Sequence, residues 1–75
     1  MILIDVRTAA EYNDGHYPGA INHELDLMMR GIFPDVPLDT NIQVYCRSGS
    51  RAGIAKELLE QYGFIRVTNG GGYNH

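Results

Sequence analysis

The chemistry-bearing residues of this chain gather around its one cysteine, in the run Val44-Tyr45-Cys46-Arg47-Ser48-Gly49-Ser50-Arg51. Ile42 to Cys46 reads as a short buried strand: Val44 is β-branched, Tyr45 is aromatic, and the turn formers Asp39-Thr40-Asn41 precede them. From Ala52 to Tyr62, the residues Ala55, Leu58, Leu59 and Tyr62 recur at helical spacing, and Gly63 supplies a stop. The sulfur is therefore expected where a strand ends and a helix begins. Unpaired backbone N–H groups converge at such a place, and the helix dipole adds roughly half a positive charge. Both effects, with the bracketing Arg47 and Arg51, favour the thiolate and lower a cysteine pKa from its usual value of about 8.5. A lone cysteine is more often a small hydrophobe chosen for packing. Packing alone, however, has no use for a basic, glycine-containing loop, so a nucleophile is the favoured reading.

The neighbours divide by what each can do. Arg47 and Arg51 carry planar multi-donor heads suited to an oxyanion, although either also serves as a solvated surface residue. A cation at a helix N-terminus is mildly unfavourable, so Arg51 predicts an anion beside it. Ser48 and Ser50 are hydroxyl donors or simple loop formers. Gly49 supplies the backbone freedom that lets N–H groups converge. Asp5 and Arg7 read as structural, a carboxylate tying down loop N–H groups at a strand end and an arginine paired with an acid. His16 is expected to fix a turn by hydrogen bonding, and His23 to lie at the surface. Met28 and Met29 are expected to fill the core.

At 75 residues the chain is expected to form a single domain, 1–75. A chain this short buries only about 60% of its unfolded surface, which puts its stability low in the usual range. A net charge of −3 without a basic run argues against nucleic-acid binding. No apolar stretch approaches a membrane span, and the start Met-Ile-Leu-Ile-Asp lacks the features of a signal peptide. Three histidines and one cysteine show no ligand spacing, so no metal is expected. A single cysteine forms no internal disulfide, which fits a reducing, cytoplasmic setting.

The remaining elements must position that loop. Ile2-Leu3-Ile4-Asp5-Val6 reads as a strand buried on both faces. Thr8-Ala9-Ala10-Glu11 matches a capping box that opens a short helix, stopped by Asn13-Asp14-Gly15. His16 to Gly19 is a turn, and Ala20-Ile21-Asn22 a brief strand. Glu24 to Arg30 is expected to be helical, with Leu25, Met28 and Met29 facing the core, and Gly31 and Pro34 end it. Phe64 to Thr68 reads as the last strand and Asn69-Gly70-Gly71-Gly72 as a flexible turn. Strands alternating with helices predict an α/β fold, a small parallel sheet with helices on both faces and ligands at its carboxyl edge. Asp5, Cys46 and Asn69-Gly70-Gly71 all fall at that edge.

These segments resemble the single-domain rhodaneses, a family of sulfurtransferases. Asp5-Val6-Arg7, Glu11-Tyr12 and Gly15-His16-Tyr17-Pro18-Gly19-Ala20-Ile21-Asn22 are similar to the family's first signature. Val44 to Arg51 is similar to its active-site loop, and Gly70-Gly71 to its C-terminal glycine pair. The resemblance implies a three-layer α/β/α fold with about four strands. It implies that Cys46 carries a sulfane sulfur as a persulfide, with the backbone from Arg47 to Arg51 cradling it and the arginines binding the sulfonate end of thiosulfate. No cofactor is implied. The implied partners are a small sulfur donor and a thiophilic acceptor such as cyanide, or a protein thiol. The chain is most similar to the small phage-shock-type members, whose export implies a periplasmic setting if a signal peptide has been removed. It departs from the family in lacking a strand and helix before Asp5. It also has Tyr73-Asn74-His75 after the glycines in place of a tryptophan and a closing helix, and Tyr17 and His23 where aliphatic residues are commoner.

Two other readings compete. A rhodanese-fold phosphatase or arsenate reductase would share the cysteine and loop. Cys46 and Arg51 enclose four residues, one fewer than in the cell-cycle phosphatases of this fold. A non-catalytic persulfide carrier would keep the cysteine and deliver to a protein partner.

Overall fold

A computed structural model describes residues 1–73 of the chain. Seven elements follow in order: β1 (Ile2–Asp5), α1 (Ala9–Asn13), β2 (Ile21–Asn22), α2 (Leu25–Met29), β3 (Ile42–Cys46), α3 (Ser50–Tyr62) and β4 (Val67–Gly72). The four strands form one sheet in the order β2-β1-β3-β4, every pair parallel. The chain moves outward from β1 to β2, then crosses back to build β3 and β4 on the other side. The direction of winding reverses between β1 and β3. Crevices at the carboxyl ends of strands flanking such a reversal are where α/β sheets bind ligands. Asp5 ends one of these strands and Cys46 the other.

Alternation along the strands separates two faces. Ile4, Val6, Ile42, Val44 and Cys46 join Leu25 and Met28 of α2 and Ala52, Ala55 and Leu59 of α3 in the apolar core. On the opposite face Asp5 and Tyr45 stand side by side in register, both buried. Leu3 and Gln43 beside them are only half-buried. Ile2 and Leu3 are thus less covered than a strand buried on both faces would be.

Local signals account for most boundaries. The capping box at α1 is present: the Thr8 hydroxyl accepts from the Glu11 N–H at 3.2 Å and Glu11 accepts from the Thr8 N–H at 3.1 Å. α3 begins at Ser50, two residues before the expected Ala52, and Gly63 caps its end. α2 is shorter than expected. Met29 is 64% exposed and does not face the core. Tyr62 is also largely exposed, its ring stacked on Phe33 and Phe64.

The largest correction falls at the carboxyl end. The last strand is Val67–Gly72, so the segment expected to form a turn continues the sheet, with Asn69 and Gly72 paired to β3. Val44 pairs with Asn69 but Cys46 with Gly72, a shift that places an extra residue on β4. The reason is space. A Cβ at Gly72 would run into the Arg47 carbonyl oxygen, with the carbonyl carbon at 2.9 Å. Only glycine lets this strand lie against the cysteine loop. Asn74 and His75 lie outside the described residues.

Candidate active site

The site is built outward from the end of β3. Cys46 is fully buried, and its Sγ accepts hydrogen bonds from the backbone N–H groups of Gly49 at 2.9 Å and Ala52 at 3.3 Å. Gly49 is the N-cap of α3 with φ +95°, a left-handed conformation that a side chain would strain. That turn of the backbone aims its N–H at the sulfur. Two effects oppose each other at the thiol. Burial pushes its pKa up, while N–H donation from Ala52, Ser48, Gly49 and Arg51 pulls it down, and the balance falls below the ordinary cysteine value.

The other loop residues are disposed unequally. Arg47 and Ser48 are exposed. Among the described residues Arg47 makes no ion pair. Ser48 and Ser50 approach each other, hydroxyl to hydroxyl, at 3.2 Å. Arg51 does have an anion beside it, as its helix-start position predicts, and that anion is Glu11. Arg51 donates from both terminal nitrogens to the two carboxylate oxygens, at 2.7 and 2.9 Å. The fork joins α1 to the start of α3, directly beside the cysteine.

The Arg51 fork is the main reason the Glu11 carboxyl is lowered to about 2, with the Thr8 contacts adding to it against the effect of burial. A depressed carboxylate pKa contributes stability that is present above the unfolded value, here 4.5, and lost as pH falls toward about 2. Glu11→Gln is accordingly expected to cost on the order of 2 kcal/mol at neutral pH after solvent screening. Urea unfolding midpoints of the two proteins should differ above pH about 4.5 and converge on acidification through that window. A gap that stays constant down to pH about 2 would assign the loss to something other than the carboxylate charge.

Asp5 and Arg7 form a buried ion pair on the other face of the sheet, 0% and 3% exposed. The Asp5 carboxylate accepts from the Arg7 backbone N–H at 2.9 Å and from its Nε and Nη2, the latter at 2.7 Å. Nη2 also donates to the Gly15 carbonyl at 2.7 Å. The guanidinium lies over the rings of Tyr73 and Tyr45, 4.8 and 5.8 Å from their centroids. Tyr17 packs edge-on against both rings and donates its hydroxyl to the Gly72 carbonyl at 2.9 Å. Burial pushes the Tyr45 hydroxyl up to about 12, so it stays protonated. This cluster ties β1, β3 and β4 together. His16 lies with Nδ1 at 2.8 Å from the Tyr12 carbonyl and its ring stacked on Tyr12. His23 is half-buried, its Nε2 2.9 Å from the Ile32 carbonyl. Among the described residues no cluster of His, Cys, Asp or Glu could hold a metal ion.

Residues 1–74 match the model of the rhodanese-like domain. The chain belongs to the rhodanese family. It is 42% identical over 71 residues to the thiosulfate sulfurtransferase PspE of Escherichia coli, covering 92% of this chain and 67% of that protein. It is 36% identical over 69 residues to a sulfurtransferase of Allochromatium vinosum, covering 92% of this chain and 64% of the relative. Among solved structures, a rhodanese with anions from E. coli superposes with a TM-score of 0.82 at 36% identity, covering 95% of this chain and 85% of that one. Family and relatives make this rhodanese an enzyme of the sulfurtransferase class. Among the described residues no helix is long and apolar enough to cross a membrane.

Two residues outside the cysteine loop reach it. Glu11, a helix cap that also stands in the family signature, holds the Arg51 guanidinium. Asn69, expected at the carboxyl edge of the sheet, donates to the Gly49 carbonyl, a contact that no local signal announces.

Proposed function

We propose that this rhodanese takes the outer sulfur of thiosulfate onto Cys46 as a persulfide and passes it to cyanide or another thiophile. The observation that carries this is the pair of backbone N–H groups, Gly49 and Ala52, aimed at a single buried sulfur whose thiolate they stabilise. The thiolate attacks the sulfane sulfur of the donor, the S–S bond breaks, and sulfite leaves with the bonding pair. The acceptor then attacks the outer sulfur of the persulfide and the thiolate returns. Backbone dipoles stabilise the anionic sulfur at each stage without moving far. The exposed guanidinium of Arg47 meets the sulfonate end of the donor, while Ser48, Gly49, Ser50 and Arg51 line the path with backbone N–H groups and hydroxyls. The groove on the other side of Arg51 carries the acids Glu24 and Asp26, which disfavour an anion there. The sulfur acceptor is a small thiophile or a protein thiol. The E. coli rhodanese structure holds anions, in keeping with an anionic donor for a protein of this fold.

Intact-mass measurement after thiosulfate treatment is the direct test. The expected result is a gain of one sulfur atom, removed again by cyanide. A protein whose mass does not change would overturn the persulfide reading.

A further inference from the structure

Besides Glu11, which holds the Arg51 side chain, a second polar side chain reaches the cysteine loop from outside, and it touches the backbone. Asn69, on β4, donates from Nδ2 to the Gly49 carbonyl at 3.1 Å and accepts from the Gly71 N–H through Oδ1 at 2.8 Å. Gly49 is the hinge of the loop, left-handed at φ +95° and without a side chain to cap α3. Its N–H is the shorter of the two donors to Sγ and its carbonyl accepts the first helical bond from Gly53 at 2.9 Å. A glycine at such a hinge has the widest backbone freedom of any residue, so contacts on its carbonyl, from Gly53 and from Asn69, limit how far its N–H can turn. The Gly49–Gly71 approach supports the tether, since a Cβ on Gly49 would stand 3.6 Å from the Gly71 Cα.

We infer that Asn69 is a positioning residue for sulfur transfer, bridging β4 to the Gly49 carbonyl so that the Gly49 N–H stays aimed at Cys46 Sγ. The inference rests on the sulfurtransferase reading for its purpose, but its geometry concerns the thiolate alone. Asn69 touches neither donor nor acceptor. It acts through Gly49, and its effect is read in the acidity of the cysteine.

The test follows iodoacetamide alkylation of Cys46 across pH in the wild type, Asn69→Ala and Asn69→Ser, with no sulfur donor present. The wild-type midpoint should lie below that of free cysteine. Asn69→Ala removes both contacts. Asn69→Ser keeps an oxygen able to accept from the Gly71 N–H but is too short to reach Gly49. Because Asn69 is exposed, circular dichroism spectra should be unchanged in both variants. Both midpoints should move upward by about half a pH unit, a roughly threefold smaller thiolate fraction on the acid side, as expected when one donor to a thiolate is loosened. Unchanged midpoints in both variants would overturn the inference. So would a midpoint raised in Asn69→Ala but normal in Asn69→Ser, which would confine the role of Asn69 to its own turn. Sulfur loading of the wild type is measured separately, so failure of the sulfurtransferase reading leaves this comparison interpretable.

Discussion

Cys46→Ser is expected to transfer no sulfur from thiosulfate to cyanide above the uncatalysed background, while keeping its fold. A hydroxyl cannot hold sulfane sulfur, and loss of a covalent nucleophile costs on the order of 10⁶ in kcat where it has been dissected. The serine oxygen is smaller than sulfur and accepts hydrogen bonds from the same Gly49 and Ala52 N–H groups, so circular dichroism should match the wild type. Turnover retained in this variant would sink the persulfide route. The same preparations separate sulfur transfer from phosphate chemistry when p-nitrophenyl phosphate is offered beside thiosulfate. A phosphate needs donors around three equatorial oxygens. Here only four residues lie between Cys46 and Arg51, and the loop already closes its N–H groups onto one atom. One missing oxyanion donor costs roughly 10²–10³ in rate, so a loop lacking several is effectively inert toward phosphate esters. Cys46-dependent phosphate release at a rate comparable to sulfur transfer would promote the phosphatase reading.

Arg7→Met is expected to destabilise the fold more than any surface change. It leaves the Asp5 carboxylate, 0% exposed, without its counter-charge and takes the cation from over the Tyr45 and Tyr73 rings. Removing one partner of a buried ion pair costs about 3–5 kcal/mol. A domain of this length has roughly 4–11 kcal/mol in all, at about 0.05–0.15 kcal/mol per residue. The variant should therefore unfold at a much lower urea concentration, or be largely unfolded at 25 °C. Asn at position 5 removes the orphaned charge, so Asp5→Asn/Arg7→Met should recover part of the loss. A wild-type midpoint for Arg7→Met would show that the pair does not hold the sheet edge together.

How much of this was legible beforehand follows the range of the interactions involved. β3, the loop and α3 are written in consecutive residues: a β-branched and aromatic run, then serine and glycine, then apolar residues at helical spacing. The capping box Thr8–Glu11 and the Gly63 stop are also local, and the structure has both. The same local grammar placed Cys46 among converging N–H groups. It misplaced Met29, because adjacent residues on a helix point about 100° apart and only packing decides that Met28 is the one covered.

By itself, then, the sequence determined the strand–loop–helix unit around Cys46, the α/β class and the family resemblance, since each depends on neighbours in the chain. The tertiary structure decided which distant groups complete that unit. Arg51 announces an anion by its helix-start position, but nothing local says that the anion is Glu11, 40 positions upstream. Asn69-Gly70-Gly71-Gly72 carries the propensity of a turn, and it becomes a strand because the Arg47 backbone lies where side chains would otherwise stand. Propensity records what a segment prefers alone. Close approach to another part of the chain overrode it here, and it placed Asn69 against the loop.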